Sequence, residues 1–409
     1  MTTIWDKTKH LSTTILLGAI MWVVIMRHFN FTSQEMVCIG VDFAVYCIGF
    51  FLLAYWNKTI SPHFYILICY LSMLSIVLFF RLKDLQEVPL ESTVWKPIKS
   101  LVVALIAYMS GHLLSKTDAY KQRVLQVALI VAGPVLFVLA RLTGGVRGVY
   151  NWVGGIMPSE ISKISFLFAV IYIFTYGGTA KKKLRLFLGY LVIQGVCCVW
   201  ANEYGTLLVI AISAFIVCLL DKELRNLLVA FIVVGILGGG LIMLCSVKVR
   251  TRFMLFLDPL GSLESESAYV SEQAKIMERF LKTVNYTDWN GSGFKLNLSN
   301  LPPNMCTDYV VQTIILEFGI LVALIVLAAF VIVLFYLLSV KTGNELERKI
   351  LDAVVILMAS TSLVVIGGNL LIMPMAGLTT PFITLTSSAQ ANAIYFFLMG
   401  FGISFACEE

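Results

Sequence analysis

Runs of roughly 17–25 apolar, almost uncharged residues recur along this chain from one end to the other, and that is the length a helix needs to cross the hydrocarbon core of a bilayer. In lipid every backbone N–H and C=O must find its partner inside the span, so the runs fold as helices. The strands of a barrel would alternate apolar and polar residues, and no such alternation is present. Twelve spans are expected, near residues 12–28, 36–56, 64–81, 100–115, 124–141, 160–177, 184–200, 204–220, 227–247, 310–340, 350–373 and 386–406. The fold class is therefore all-α, a polytopic membrane protein. The first span is read as retained rather than cleaved as a signal peptide, because Arg27 and His28 end its apolar run and no small-residue cleavage pattern follows.

Basic residues in short loops mark the cytoplasmic side. Lys7 and Lys9, Lys116 with Lys121 and Arg123, Lys181–Lys183 with Arg185, Lys222 with Arg225, and Lys341 with Arg348 and Lys349 all fall on one side of the twelve-span count. Both termini are then expected in the cytoplasm, and the loops 82–99, 142–159, 248–309 and 374–387 outside. Lys248, Arg250 and Arg252 form a basic cluster on the outer side, against the rule, and an anion to bind is the natural reason. A net charge of +6 is ordinary for cytoplasmic basic loops and gives no ground for a nucleic-acid partner. The nine cysteines lie mostly within spans, with no CxxC, and the four histidines are scattered, so no metal site is read from them.

Polar groups at span depth are costly in lipid and so face the protein interior or a wet cavity. In RLTGGVRGVYNWVGGIMPSEISK, residues 141–163, Pro158 is placed to start a helix on which Glu160 and Lys163 share a face. An internal ion pair is expected there, either pinning one helix to a neighbour or, with Arg147 just outside, facing an anion-binding cavity. In ANEYGTLLVI, Glu203 stands at the mouth of a span and Gly205 permits close approach. In LPPNMCTDYVVQTIILEFG, Asp308 lies at a helix start, where a carboxylate suits the helix dipole in any case, and Glu317 lies deeper. The stretch GGNLLIMPMAGLTTPFITLTSSAQANAIYFF reads as a broken or re-entrant segment, tolerated only where it is buried in protein or lines a cavity. Asp42, within the second span, is placed to pair with a basic group of the main bundle. The mixed-composition stretch from Lys248 to Asp308 holds most of the acidic residues outside the short loops, and chemistry is expected there.

These residues carry a family resemblance. PSEISK at 158–163 resembles the PSExxK signature of the SEDS proteins (the RodA/FtsW/SpoVE family), and GGVRGVYNWV at 144–153 resembles the Gly-Ala-Arg-Arg-Trp segment that precedes it. In the family's order follow NEYGT at 202–206 for Pro-Asp-x-Gly-Thr, with Glu203 in the Asp position, RTRFMLFLDP at 250–259 for Arg-x-x-Arg and Asn/Asp-Pro, and AYVSEQAKI at 268–276 for Gly-Tyr-Gln-x-x-Gln-Ser. LPPNMCTDYVVQTIILEFG at 301–319 is similar to Leu-Pro-Glu-x-x-Thr-Asp with its later Glu-Glu-x-Gly, and GLTTPFITLTSS at 377–388 to Gly-x-x-Leu-Pro-Phe-x-Ser-Tyr-Gly-Gly-Ser. The resemblance implies a ten-helix core over residues 61–409 with an outer loop at 248–309, and makes residues 1–60 an addition of two helices.

It further implies a bacterial cytoplasmic-membrane enzyme that polymerises lipid II into peptidoglycan strands beside a class B penicillin-binding protein. In that chemistry the 4-hydroxyl of an acceptor sugar attacks the anomeric carbon of a donor, with inversion, and undecaprenyl pyrophosphate leaves. A carboxylate takes the proton, and cationic side chains or a divalent metal ion stabilise the leaving group; no resident cofactor is assigned. The resemblance places Arg147, Glu160, Lys163, Glu203, Arg250, Arg252, Asp308, Thr384 and Ser387 with the substrate. The family's catalytic Asp, a few residues after Asn/Asp-Pro, has no counterpart in DPLGSLESESAY, where the expected positions hold Ser262 and Leu263. Glu264 is the expected replacement, with Glu266 and Asp258 as alternatives. Other departures are the loss of both glycines in Thr384–Ser388 and of the second Glu before Gly319. A scaffold that has lost its chemistry and a flippase for lipid-linked sugars are the competing expectations.

Overall fold

The computed structural model describes residues 31–57, 59–82, 90–143, 153–264 and 307–407, with Gly18 and a few scattered positions between 271 and 305. The described helices are α1 (Ser33–Trp56), α2 (Pro62–Leu82), α3 (Leu90–Lys116), α4 (Arg123–Thr143), α5 (Pro158–Tyr176), α6 (Ala180–Trp200) and α7 (Tyr204–Leu220). They continue with α8 (Leu227–Cys245), α9 (Val247–Leu257), α10 (Val310–Phe318), α11 (Ile320–Ser339), α12 (Glu345–Asn369) and α13 (Ala389–Ile403). Among the described residues nine helices are long and apolar enough to cross a membrane, and α7 and α13 are shorter apolar helices. The chain is an all-α polytopic membrane protein. The expected span 12–28 lies outside the described residues apart from Gly18, which is helical and buried; the other eleven expected spans each correspond to described helices.

Two expectations need correction. Residues 310–340 do not form one span: at Gly319 the backbone takes φ +87 and ψ 170, a conformation that side chains with a Cβ avoid, and this separates α10 from α11. The apolar composition runs through the break unchanged, which is why periodicity misses it. Asp42 does face the interior, fully buried, but neither carboxylate oxygen has a hydrogen-bond partner, and no basic group of the bundle pairs with it among the described residues.

Burial sorts the helices. The membrane-length windows of α2, α5 and α12 are 78%, 72% and 78% buried, whereas α8 is 6% buried and presents almost its whole apolar surface outward. Around the central helices, α1 packs on α2, α4 on α5, α7 on α12 and α3 on α13. The last crossing is backbone against backbone: a Cβ on Gly111 would strike the Phe397 carbonyl oxygen, and one on Gly400 that of Tyr108. Small residues at such a crossing allow the dispersion contacts that hold helices together where no water is expelled.

Contacts gather Leu82, Pro158, Trp200, Tyr204, Cys245 and Asn369 at one end of the bundle, called here the loop end: Arg81 meets Glu317 of α10, the Met157 N–H donates to Gln390 Oε1, Lys248 reaches the Asn202 carbonyl, and Asn369 holds the start of α10. Residues 370–388 form irregular backbone at that end, with left-handed Leu371, Gly377 and Phe382. Much of the segment is buried, and some of its polar groups are paired inside the protein, while the Thr379 and Thr380 hydroxyls have no hydrogen-bond partner among the described residues. The Phe382 N–H donates to Asn392 Oδ1 (2.6 Å), and Thr386 N–H donates to Ser75 Oγ (2.8 Å). Ser75 lies about two turns inside the end of α2, so the segment dips roughly 10 Å into the bundle at 1.5 Å per residue.

Candidate functional site

The loop end is assembled around α9, a short helix that Ser246 starts by accepting the Val249 N–H at its Oγ (3.4 Å). Positions 248, 252 and 255 recur at helical spacing and so share one face. That face meets the bundle: Lys248 Nζ donates to the Asn202 carbonyl (2.9 Å), Arg252 Nη1 to the Ala376 carbonyl (2.9 Å), and Leu255 is buried against Leu371 and Met375. Arg250, two residues from each cation, lies on the other face and is exposed. Arg252 therefore joins the site and Arg250 does not touch it among the described residues.

The turn between α6 and α7 presents Glu203. Asn202 takes a left-handed φ of +58, which Asn tolerates better than most residues. That kink lets the Glu203 N–H return to the Cys198 carbonyl (2.9 Å) while the Glu203 carbonyl accepts the Leu207 N–H at the start of α7 (3.2 Å). Gly205, one turn on, is tight against the 370–388 segment, since a Cβ there would sit 2.6 Å from the Ala376 carbonyl oxygen. Gly205 thus serves an approach to irregular backbone rather than to a neighbouring helix.

Asp308 enters from the start of α10. Asn369, at the end of α12, accepts the Val311 and Gln312 N–H groups at Oδ1 (3.2 and 3.4 Å) and donates from Nδ2 to the Asp308 carbonyl (2.8 Å). The unpaired N–H groups of a helix start are thereby satisfied by a side chain from another helix, and Asp308 is held at the rim. Gly377 is the meeting point. With φ +66, a Cβ there would lie 3.0 Å from Arg252 Nη2 and 3.6 Å from Asp308 Oδ2, so only a glycine leaves those two groups their positions.

Electrostatics tie the cluster together. Burial pushes the Glu203 carboxyl from an ordinary 4.5 up to about 7; the charges of Lys248 and Arg252 pull it down, and those of Glu160 and Asp308 push it up. Lys248 is lowered, first by burial and then by Arg252, with Glu203 opposing. Behind this group sits the pair expected on α5. Lys163 Nζ donates to both Glu160 oxygens (2.9 and 2.8 Å) and to Tyr395 Oη on α13 (3.1 Å), and both residues are buried.

The remaining expected residues fall elsewhere. Arg147 and Glu266 lie outside the described residues, and Glu264 is described only as backbone closing a short 3-10 turn, Gly261–Glu264. Asp258 is exposed and spends Oδ1 on the Gly261 N–H (2.8 Å). Thr384 is buried, donates to the Thr380 carbonyl (2.6 Å) and accepts from Asn392 Nδ2 (3.1 Å); Ser387 Oγ donates to the Thr384 carbonyl (3.3 Å). Both hydroxyls hold the irregular segment in shape. Among the described residues no three His, Cys, Asp or Glu side chains gather so as to hold a metal ion.

Sequence reasoning gave the basic cluster that includes Lys248 an anion to bind without placing Lys248 with the substrate, and it missed Asn369, Asn202 and Tyr395. The i, i+4 spacing of Lys248 and Arg252 was the available signal for the first; nothing local marks the others. The arrangement as a whole can hold an anion between a guanidinium and an ammonium, and it keeps a carboxylate able to take a proton near neutrality beside that anion.

The comparisons with known proteins agree in kind. The profile of the FTSW_RODA_SPOVE family, described as "Cell cycle protein", matches residues 61–404. A probable peptidoglycan glycosyltransferase FtsW of Alcanivorax borkumensis is 25% identical over 287 residues, 65% of this chain and 70% of that protein. A namesake from Allochromatium vinosum is 25% identical over 286 residues, 64% of this chain and 69% of its own. Among solved structures, a chain of a peptidoglycan synthase complex that coordinates polymerization and crosslinking aligns with a TM-score of 0.65 at 17% identity, covering 84% of this chain and 96% of that one. The rod shape determining protein RodA of Thermus thermophilus aligns at 0.54 and 16% identity, covering 84% and 95%. At such identities the structural likeness speaks for the fold.

Proposed function

The chain belongs to the FTSW_RODA_SPOVE family of cell cycle proteins, and from that premise we propose that it is a peptidoglycan glycosyltransferase, polymerising lipid II at the outer face of a bacterial cytoplasmic membrane. The observation that carries the reading is the loop-end cluster, in which Arg252 and Asp308 meet at Gly377 while Lys248 holds the Asn202 carbonyl beside Glu203. Transfer forms a bond from the acceptor 4-oxygen to the donor anomeric carbon and breaks the bond from that carbon to the pyrophosphate. Negative charge builds on the departing phosphate, and Arg252 and Lys248 are the cations positioned to take it, the guanidinium being suited to two oxygens at once.

The basic residues of the short loops support an orientation with both termini in the cytoplasm and the cluster outside. The similarity to a chain of a synthase complex supports a penicillin-binding partner that crosslinks what this chain polymerises. A second reading, a scaffold without chemistry, draws on Ser262 and Leu263 standing where the family's Asp is expected. Strand synthesis from labelled lipid II by the purified chain, with and without a class B penicillin-binding protein, separates the two. Arg252→Gln is expected to slow strand formation about 10- to 100-fold, the worth of a charge-assisted hydrogen bond. No strands from wild type with the partner bound would turn the reading to the scaffold.

A further inference from the structure

We propose that Asp42 holds a small monovalent cation, sodium being the probe, at a buried site between α1, α2, α3 and the irregular 370–388 segment; the inference stands apart from the functional reading above. Asp42 is fully buried within α1, and neither of its oxygens has a hydrogen-bond partner among the described residues. A bare carboxylate at that depth is costly and calls for a positive charge. The basic side chains of the same end are committed elsewhere: Lys96 of α3 stands over the Phe79 ring (4.6 Å to its centre), and Arg81 faces Glu317.

Helical spacing sets other oxygens beside it. α1 and α2 are joined by a short turn and run antiparallel, and the Cys47 side chain meets that of Cys69. From that contact Asp42 lies about 7.5 Å along α1, and Ser72 and Ser75 lie about 4.5 and 9 Å along α2 in the same direction. α1 and α3 run parallel: Tyr46 Oη donates to the Pro97 carbonyl (3.1 Å), and a Cβ on Gly49 would sit 3.1 Å from Leu101 Cδ2. One turn back from Tyr46 and Pro97 stand Asp42, on the same face of α1, and Thr93. Pro97 has no N–H to give, so the Thr93 carbonyl loses its helical partner. The 370–388 segment arrives at the same depth, where the Thr386 N–H donates to Ser75 Oγ (2.8 Å) and the Thr386 side chain lies beside Tyr46. Ser72 Oγ and Thr386 Oγ1 are buried without hydrogen-bond partners among the described residues.

Two carboxylate oxygens, two hydroxyls and a main-chain carbonyl are the hard oxygen ligands that a hard cation takes. Their failure to bond one another fits that use. Oxygens that share an ion through bonds of about 2.3–2.6 Å stand about 3.4 Å or more apart, wider than a hydrogen bond between them. One carboxylate balances one positive charge, whereas a divalent ion would bury an excess, and among the described residues no three His, Cys, Asp or Glu side chains gather to offset it. The site would tie α1, which precedes the family's matched stretch 61–404, to the underside of the segment whose Ala376 carbonyl holds Arg252.

The test follows thermal unfolding of the full-length chain in detergent micelles at fixed pH and ionic strength, as sodium replaces N-methylglucamine. Wild type, Asp42→Asn and Thr386→Val are compared, and retention of radiolabelled sodium is measured alongside. Expected is a wild-type midpoint that rises saturably with sodium by about 2–5 °C, with one sodium retained per chain. Asp42→Asn should lose both the rise and the retention while unfolding no lower than sodium-free wild type. Thr386→Val should need about 3- to 10-fold more sodium for half the rise, and this variant with the retention measurement decides the matter if Asp42→Asn does not fold. A wild type indifferent to sodium, or Asp42→Asn with the wild-type response, overturns the inference. So does a wild type that acid stabilises and sodium does not, since Asp42 would then carry a proton in place of the ion.

Discussion

Glu160 and Glu203 are both buried, both lie at the loop end, and each feels the other's charge, yet one is locked and the other is free. Glu160 shares a helix with Lys163, three residues on, whose ammonium bonds both of its oxygens and reaches Tyr395 on α13. Desolvating two charges costs about as much as their attraction returns, so such a pair adds little net stability but penalises any arrangement that separates it. Here it fixes how α5 meets α13. Glu203 feels the charges of two nearby cations without a hydrogen bond to either among the described residues, and Lys248 and Arg252 instead each hold a main-chain carbonyl, of Asn202 and Ala376. Its burial is offset only in part by their charges, and perturbed titration of that kind gathers at functional sites. The lesson is that position alone does not make a buried carboxylate reactive; the commitments of its neighbours do.

The sharpest way to break this contrast is to make Glu160 resemble Glu203. Lys163→Met removes the ammonium and leaves a carboxylate in the interior, and it is expected to destabilise the protein by about 3–5 kcal/mol. The double variant Glu160→Gln with Lys163→Met should recover most of that loss. Unfolding in mixed micelles across the double-mutant cycle measures both. A cost below about 1 kcal/mol for Lys163→Met would mean that Glu160 reaches water or another donor, and the difference between the two carboxylates would collapse.

The converse change acts on Glu203 and depends on pH. Burial raises its proton affinity in the folded state from an ordinary 4.5 to about 7, so between those values the folded protein holds a proton that the unfolded chain releases. Stability from this group is complete below about 4.5 and is lost as pH climbs through 7. Glu203→Gln cannot ionise and escapes that loss. It should match wild type near pH 4 and exceed it at pH 8 by on the order of 3 kcal/mol, read as a gap between the two unfolding curves that opens with pH. A constant gap would show that Glu203 is not held protonated by the fold. A variant more stable than wild type at alkaline pH is what burial of an ionisable carboxylate predicts.

How far this contrast could be read beforehand depends on the range of the interactions. Pro158, Glu160 and Lys163 lie within two turns of one helix, and helical spacing alone brings the carboxylate to the ammonium. The same arithmetic separates Arg252 from Arg250 on α9. The commitments that free Glu203 are of another kind. Lys248 binds a backbone carbonyl 46 residues away, and Arg252 one 124 residues away; a carbonyl carries no sequence signature. Asn369 organises the start of α10 from 57 or more residues off and looks like any helix-end polar residue in the text of the chain. The broken character of 370–388 was legible from its prolines and glycines, whereas the break at Gly319 was hidden in an unbroken apolar run. Spacing encodes what lies within a few turns; the partners of main-chain groups emerge only with the fold.

The smallest effect sharpens the contrast most, because it tests whether Lys248 acts on Glu203 through space alone. Its charge lowers the proton affinity of Glu203 against the push of burial, so Lys248→Met should let that affinity rise further. The pH at which the Glu203→Gln stability gap stops widening, and with it the midpoint of its rise, would then move to the alkaline side, by less than about one unit for a partly solvated pair. Arg250→Met deletes an equal charge two residues away on the exposed face of α9 and should leave that midpoint where it was. Added salt should shrink the Lys248 effect less than it would for a surface pair, since Lys248 is itself partly buried and screening reaches such groups poorly. If Lys248→Met moved the midpoint to the acid side instead, loss of the Asn202 bond would have opened the turn to water, and the role of Lys248 would be to keep Glu203 buried rather than to offset its burial.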